Sequence, residues 1–198
     1  MTAGQEEPDA VDIALLVAAA VDQVGGGYFV GGSLASSMQG EPRATNDVDI
    51  VIELPLGKIR EFVEALGSDF EVDVDGLRLA LLNGTSCNVF FLPVLTKVDL
   101  FGVGPTPYDE VEFSRRRSVL VRDPDVHLVL KTPEDPVLRK LWWFRQGGDV
   151  SERQWRDVVQ VLKIGGSAMD ANYMERWSVS LQVDDLLQRA REQAARDS

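Results

Sequence analysis

Apolar positions recur at helical spacing over residues 12–24, and Gly25-Gly26-Gly27 closes that segment. Tyr28-Phe29-Val30 then reads as a short buried strand running into Gly31-Gly32-Ser33, with a helix starting over residues 34–38. Beyond the Gly40-Glu41-Pro42 turn, residues 47–54 alternate carboxylate and aliphatic side chains, which is strand patterning with its polar face at the beginning. Residues 56–66 return to the helical period and Gly67 stops them. Residues 70–74 read as a strand, while 77–82 fit helix and strand equally. Residues 88–92 and 97–103 predict a hairpin around 93–96. A helix over 108–116 and strands over 119–121 and 127–130 follow.

The period changes at Thr132-Pro133-Glu134-Asp135. Thr132 is suited to an N-cap, Pro133 to the first helical position, and Asp135 to part of a capping box. Helices alone are expected from there, over 133–145, 151–163, about 170–179 and 183–195, with Gly147-Gly148 and Gly165-Gly166 at breaks. The fold class is therefore α/β (α+β). A core domain over 1–131 precedes a C-terminal helical domain over 132–198 packing on it, and polar residues 1–9 are expected to be disordered.

Composition narrows the classes. A hydrophobic fraction of 44% and a charged fraction of 26% suit a globular chain. No apolar run approaches the roughly 20 residues of a membrane span, and residues 11–21 follow acidic rather than basic positions, unlike a secretory signal. One cysteine, Cys87, excludes an internal disulfide and reads as a buried small hydrophobe. These features predict a cytoplasmic protein. The net charge of −12 argues against broad nucleic-acid binding, leaving local basic patches at Arg115-Arg116-Arg117 with Arg122 and at Arg139-Lys140 with Arg145. The single histidine, His127, reads as an ordinary strand residue, so chemistry falls to carboxylates, Ser, Lys and Arg.

The candidate chemistry lies between Tyr28 and Asp49. A strand that ends in Gly-Gly-Ser and turns into a helix exposes backbone N–H groups at the positive helix end, where an anion can approach. Asp47 and Asp49, two apart on a strand, put both carboxylates on one face. Such a pair repels itself unless a cation is near, and oxygen donors without histidine suit Mg²⁺ or Mn²⁺. Asp99 stands later in Lys97-Val98-Asp99-Leu100-Phe101 among apolar residues. Asp73 and Asp75 share the two-residue spacing, but no glycine turn precedes them and they read as an exposed strand end.

Gly31-Gly32-Ser33, then Arg43-Ala44-Thr45-Asn46-Asp47-Val48-Asp49-Ile50, then Lys97-Val98-Asp99, together resemble the nucleotidyltransferase (polymerase beta-like) superfamily. Within it, Gly-Gly-Ser with Arg-x-Thr-x-Asp-hydrophobic-Asp is similar to the AbiEii-like branch, which includes toxins of type IV toxin–antitoxin pairs. The resemblance spans most of residues 28–103 and continues more weakly into Pro133-Glu134-Asp135, Leu138-Arg139-Lys140-Leu141 and Arg153-Gln154-Trp155-Arg156-Asp157. It implies a mixed β-sheet flanked by helices, and transfer of a nucleoside monophosphate from a nucleoside triphosphate (NTP) to an acceptor hydroxyl. Two metal ions on Asp47 and Asp49 are implied, with Asp99 also a ligand. Gly31, Gly32 and Ser33 would hold phosphates, Lys140 or Arg43 would meet the triphosphate, and Asp157 would orient Lys140. The acceptor is left open among tRNA, protein and small molecules, and a cognate antitoxin is a possible partner. The alternative is a catalytically inactive nucleotide-binding or protein-interaction module that keeps the fold.

Overall fold

The structure is a computed structural model that describes residues 7–39 and 47–196. Contacts divide the chain into two compact units. One comprises the described residues of Met1–Leu34 and Thr45–Leu130, and the other those of Ala35–Ala44 and Lys131–Ser198.

The first unit contains β1 (Gly27–Val30), β2 (Val48–Glu53), β3 (Phe70–Val72), β4 (Ser86–Phe91), β5 (Thr96–Gly102), β6 (Arg117–Arg122) and β7 (Val126–Leu130). They form a mixed sheet in the order β3-β4-β5-β2-β1-β7-β6. The β2–β5 and β1–β7 pairs are parallel and the others antiparallel. Helices α1 (Ala10–Gln23), α3 (Ile59–Leu66), α4 (Val74–Asn83) and α5 (Pro107–Ser114) accompany the sheet. The helix α2 (Gly32–Gln39) begins in this unit.

Strand alternation sorts the two faces of the sheet. Val48, Ile50 and Ile52 of β2 are buried, as are Val98 and Leu100 of β5, while Asp49 and Asp99 fall on the other side. Helix α4 packs on the apolar side so closely that a Cβ at Gly102 would lie 2.6 Å from the Ala80 carbonyl oxygen. Only glycine permits that approach. Helices α1 and α3 pack on each other and, with α4, complete the apolar layer.

Several local expectations change. Residues 74–83 resolve as helix, with Leu77 and Ala80 buried one turn apart. Exposed Asp73 directly follows β3 and is the N-cap of α4, accepting from the Asp75 and Gly76 amides, while Asp75 lies in the helix rather than at a strand end. Asp9, expected in a disordered tail, caps α1 in a capping box with Asp12. Arg122 of β6 bonds both of these acids at 2.8 Å. Cys87 is buried, and burial raises its thiol pKa. His127 is an exposed residue of β7.

The second unit is helical, with α6 (Glu134–Gln146), α7 (Glu152–Gly165), α8 (Ala171–Ser180) and α9 (Asp184–Arg196). Helix α6 packs on α7 and α8, and α9 packs on α7. Thr132 is not the N-cap: α6 starts at Glu134, with Pro133 in the cap position and no side-chain cap bond. Thr132 instead donates its hydroxyl to Asp135 Oδ2 at 2.9 Å. Asp135 is wholly buried and accepts a 2.5 Å bond from the Tyr173 hydroxyl of α8 on its other oxygen. Its carboxylate therefore ties α6 to α8 rather than closing a capping box. No helix among the described residues is long and apolar enough to cross a membrane.

Candidate active site

Three strands of the first unit carry the site. The parallel ladder sets Asp49 of β2 beside Asp99 of β5, and continues through Ile50 with Leu100. Adjacent strands run roughly 4.8 Å apart, so the backbone alone holds the two carboxylates as neighbours on one face. Asp47 precedes β2 and is exposed, while Asp49 and Asp99 are half-buried.

The glycine turn meets the same carboxylate. Gly31 N–H donates to the Asp49 carbonyl at 2.8 Å, tying the end of β1 to β2. Gly32 has φ +55°, and a Cβ built there would lie 1.7 Å from Asp49 Oδ2. Glycine is required twice over, by the left-handed backbone and by the carboxylate occupying the Cβ position. Gly32 opens α2 and half-buried Ser33 follows it, so the turn and the first acidic strand form one piece. Arg43 lies outside the described residues.

Lys97 enters the site without having been singled out from sequence. Its ammonium donates to Asp99 Oδ2 at 2.6 Å, with the lysine side chain 49% and the aspartate side chain 19% exposed. Its pKa is raised, chiefly by the hydrogen bond to Asp99; burial opposes that rise, and the Asp99, Asp49 and Asp47 charges add to it. The signal was available: Lys97 and Asp99 are two apart on a strand and so share a face. On the antiparallel neighbour β4, Asn88 stands opposite Asp99 and exposed Phe90 opposite Lys97. Among the described residues no group of three or more His, Cys, Asp or Glu side chains is gathered closely enough to hold a metal ion.

In the helical unit, Lys140 of α6 and Asp157 of α7 meet at 2.5 Å, with side chains only 16% and 14% exposed. A lysine so covered is fixed in position. Two basic clusters are engaged elsewhere. Arg116 donates to the Phe113 carbonyl at 2.6 Å and stacks 3.9 Å over the Phe113 ring, within the strand unit. Arg145 pairs with Asp185 at 2.7 Å and Asp149 at 3.3 Å. The helical unit also holds an open cavity of about 380 Å³ lined in part by Trp155, Arg156, Arg189 and Gln193. Arg189 stacks 4.3 Å over Trp155, whose indole N–H donates to Gln193. None of the residues predicted for chemistry lines it.

No protein-family model matches the sequence, and no curated relative does. Solved structures do share its architecture. An antigenic nucleotidyltransferase-like protein from Paracoccidioides brasiliensis superposes with a TM-score of 0.56 at 17% identity, covering 92% of this chain and 91% of that one. The lincosamide antibiotic adenylyltransferase LnuA, lincomycin-bound, gives 0.51 at 11% identity over 77% of this chain and 96% of that one. ANT(2")-Ia in complex with adenylyl-2"-tobramycin gives 0.50 at 12% identity over 87% and 96%. The chain has the nucleotidyltransferase fold.

Proposed function

We propose that this chain is a nucleotidyltransferase that moves a nucleoside monophosphate from an NTP to an acceptor hydroxyl, using Mg²⁺ or Mn²⁺. The observation that carries the reading is the union of Asp49, Asp99 and Gly32. Two carboxylates lie side by side on a parallel ladder, and one of them presses against the glycine of a turn that opens a helix. The donor chemistry fits a hard divalent ion, because Asp47, Asp49 and Asp99 supply oxygen alone.

Nucleotidyl transfer requires positioning and charge neutralisation more than covalent help from the protein. In this reading the Gly32 and Ser33 amides at the start of α2 take phosphate oxygens, aided by the positive helix end. Asp47 and Asp49 hold divalent metal, which when bound would neutralise charge on the triphosphate. The acceptor oxygen bonds to the α-phosphorus as the bond from that phosphorus to the β-phosphate oxygen breaks. Pyrophosphate leaves, and Asp99 takes the hydroxyl proton before passing it to solvent. Lys140, fixed by Asp157, is assigned to the triphosphate by the sequence resemblance.

Two of the structural neighbours hold antibiotics, lincomycin in one and adenylyl-2"-tobramycin in the other. With a net charge of −12, a small-molecule hydroxyl suits this chain better than an RNA polyanion. The test offers α-³²P-labelled NTPs with Mg²⁺ or Mn²⁺ to separate panels of small hydroxylated molecules, tRNA and protein. Label should move to an acceptor, and Asp47→Asn or Asp49→Asn should cut transfer at least about 100-fold. Unchanged transfer in these variants would remove the assignment. Label on tRNA or protein, joined to growth arrest on expression, would favour the toxin branch with a cognate antitoxin.

A further inference from the structure

The sequence resemblance implies two metal ions and three aspartates, yet the third aspartate is already engaged. Asp99 accepts from the Lys97 ammonium at 2.6 Å. Lys97 and Asp99 share a face of β5, Asp49 stands beside Asp99, and Asp47 lies two residues before Asp49, just ahead of β2. Extending the β2–β5 ladder by one position from Val48 beside Val98 brings Lys97 level with Asp47. The lysine is therefore set among all three acids.

We infer that the Lys97 ammonium stands in for one of the two divalent ions, so that this chain works with a single divalent ion held through Asp47 and Asp49. The inference rests on the nucleotidyltransferase reading and specifies its metal requirement. One further point supports it. An ion seated on Asp99 would stand against the ammonium bonded to the same carboxylate, and like charges at that range repel. The lysine thus keeps Asp99 next to the acceptor position without a metal there.

The experiment counts Mn²⁺. Free Mn²⁺ is followed by electron paramagnetic resonance as it titrates the full chain with saturating α,β-methylene ATP. The comparison covers wild type, Lys97→Met and Lys97→Arg, each checked for folding by circular dichroism. Wild type and Lys97→Arg should each take up one Mn²⁺ per chain, and Lys97→Met should take up two. Two Mn²⁺ in the wild type, or one in Lys97→Met, overturns the lysine's role while leaving the nucleotidyltransferase reading in place. No analogue-dependent Mn²⁺ uptake by any of the folded proteins refutes that reading, and this inference with it.

Discussion

Replacing Gly32 with alanine puts a methyl group where the Asp49 carboxylate now lies. The added Cβ would stand 1.7 Å from Oδ2, 2.5 Å from Cγ and 2.9 Å from Cβ of Asp49, so the whole side chain must move. The backbone adds its own cost, because φ is +55° and an L-residue in the left-handed region loses about 1–2 kcal/mol. Forcing atoms into an occupied space typically costs a further 1–3 kcal/mol, roughly. At about 2–4 °C per kcal/mol for a chain of this length, the backbone cost alone lowers the melting midpoint by about 2–8 °C. The steric part can be isolated by a double-mutant cycle with Asp49→Ala, measured by chemical denaturation. Asp49→Ala removes the carboxylate and leaves only the 2.9 Å approach of Cβ. Gly32→Ala should therefore cost at least about 1 kcal/mol less in the Asp49→Ala background than in the wild type. Additivity within about 0.5 kcal/mol would show that Gly32 and Asp49 do not compete for the same space. Transfer activity of the single Gly32→Ala variant should fall with the displaced carboxylate, by a larger factor than its stability loss explains.

Two further predictions concern the framework. Tyr173→Phe removes a hydroxyl donor from a wholly buried carboxylate, Asp135, and should destabilise the helical unit by about 1–3 kcal/mol. A melting midpoint equal to wild type would mean that the bond contributes nothing. Asp12 has a lowered pKa, chiefly through its hydrogen bond with Arg122. A carboxyl depressed in the folded state contributes stability above its unfolded pKa of about 3.9 and loses it as the pH falls through the lower folded value. Arg122→Ala should accordingly be less stable than wild type at pH 7, with the gap closing towards pH 3 and narrowing in high salt. A gap independent of pH would mean that the ion pair is not its source.

The local chemistry of the site was legible because it follows from short spacings. Alternation predicts one face for Asp47 and Asp49, although β2 begins only at Val48, and the glycine turn before a helix was visible as written. What spacing cannot supply is long-range register. Residues 54–95 separate β2 from β5, and nothing in them says that Asp49 lands beside Asp99 rather than one residue away. Gly32 was legible as a phosphate-approach glycine, but its contact with Asp49 needed coordinates. Asp73 and Thr132 show the opposite difficulty. Asp-Val-Asp-Gly serves a strand end or a helix N-cap equally well, and only the burial of Leu77 and Ala80 decides for the helix. Thr132 has the chemistry of a cap, yet the buried carboxylate of Asp135, bonded from α8, claims its hydroxyl. Lys97 was overlooked because a lysine beside an aspartate is an ordinary surface pattern until the strand face is known.

The ladder between β2 and β5 has a consequence for how freely such a chain can vary. Its spacing comes from peptide hydrogen bonds, which every residue except proline supplies. The aliphatic residues beneath can be exchanged for others of similar bulk while the two acids above keep their separation. Conservation pressure then falls on register, and a single inserted or deleted residue within either strand should be far more damaging than many core replacements. Chains only 11–17% identical to this one still superpose on it, as expected of an architecture whose critical dimension is written in the main chain.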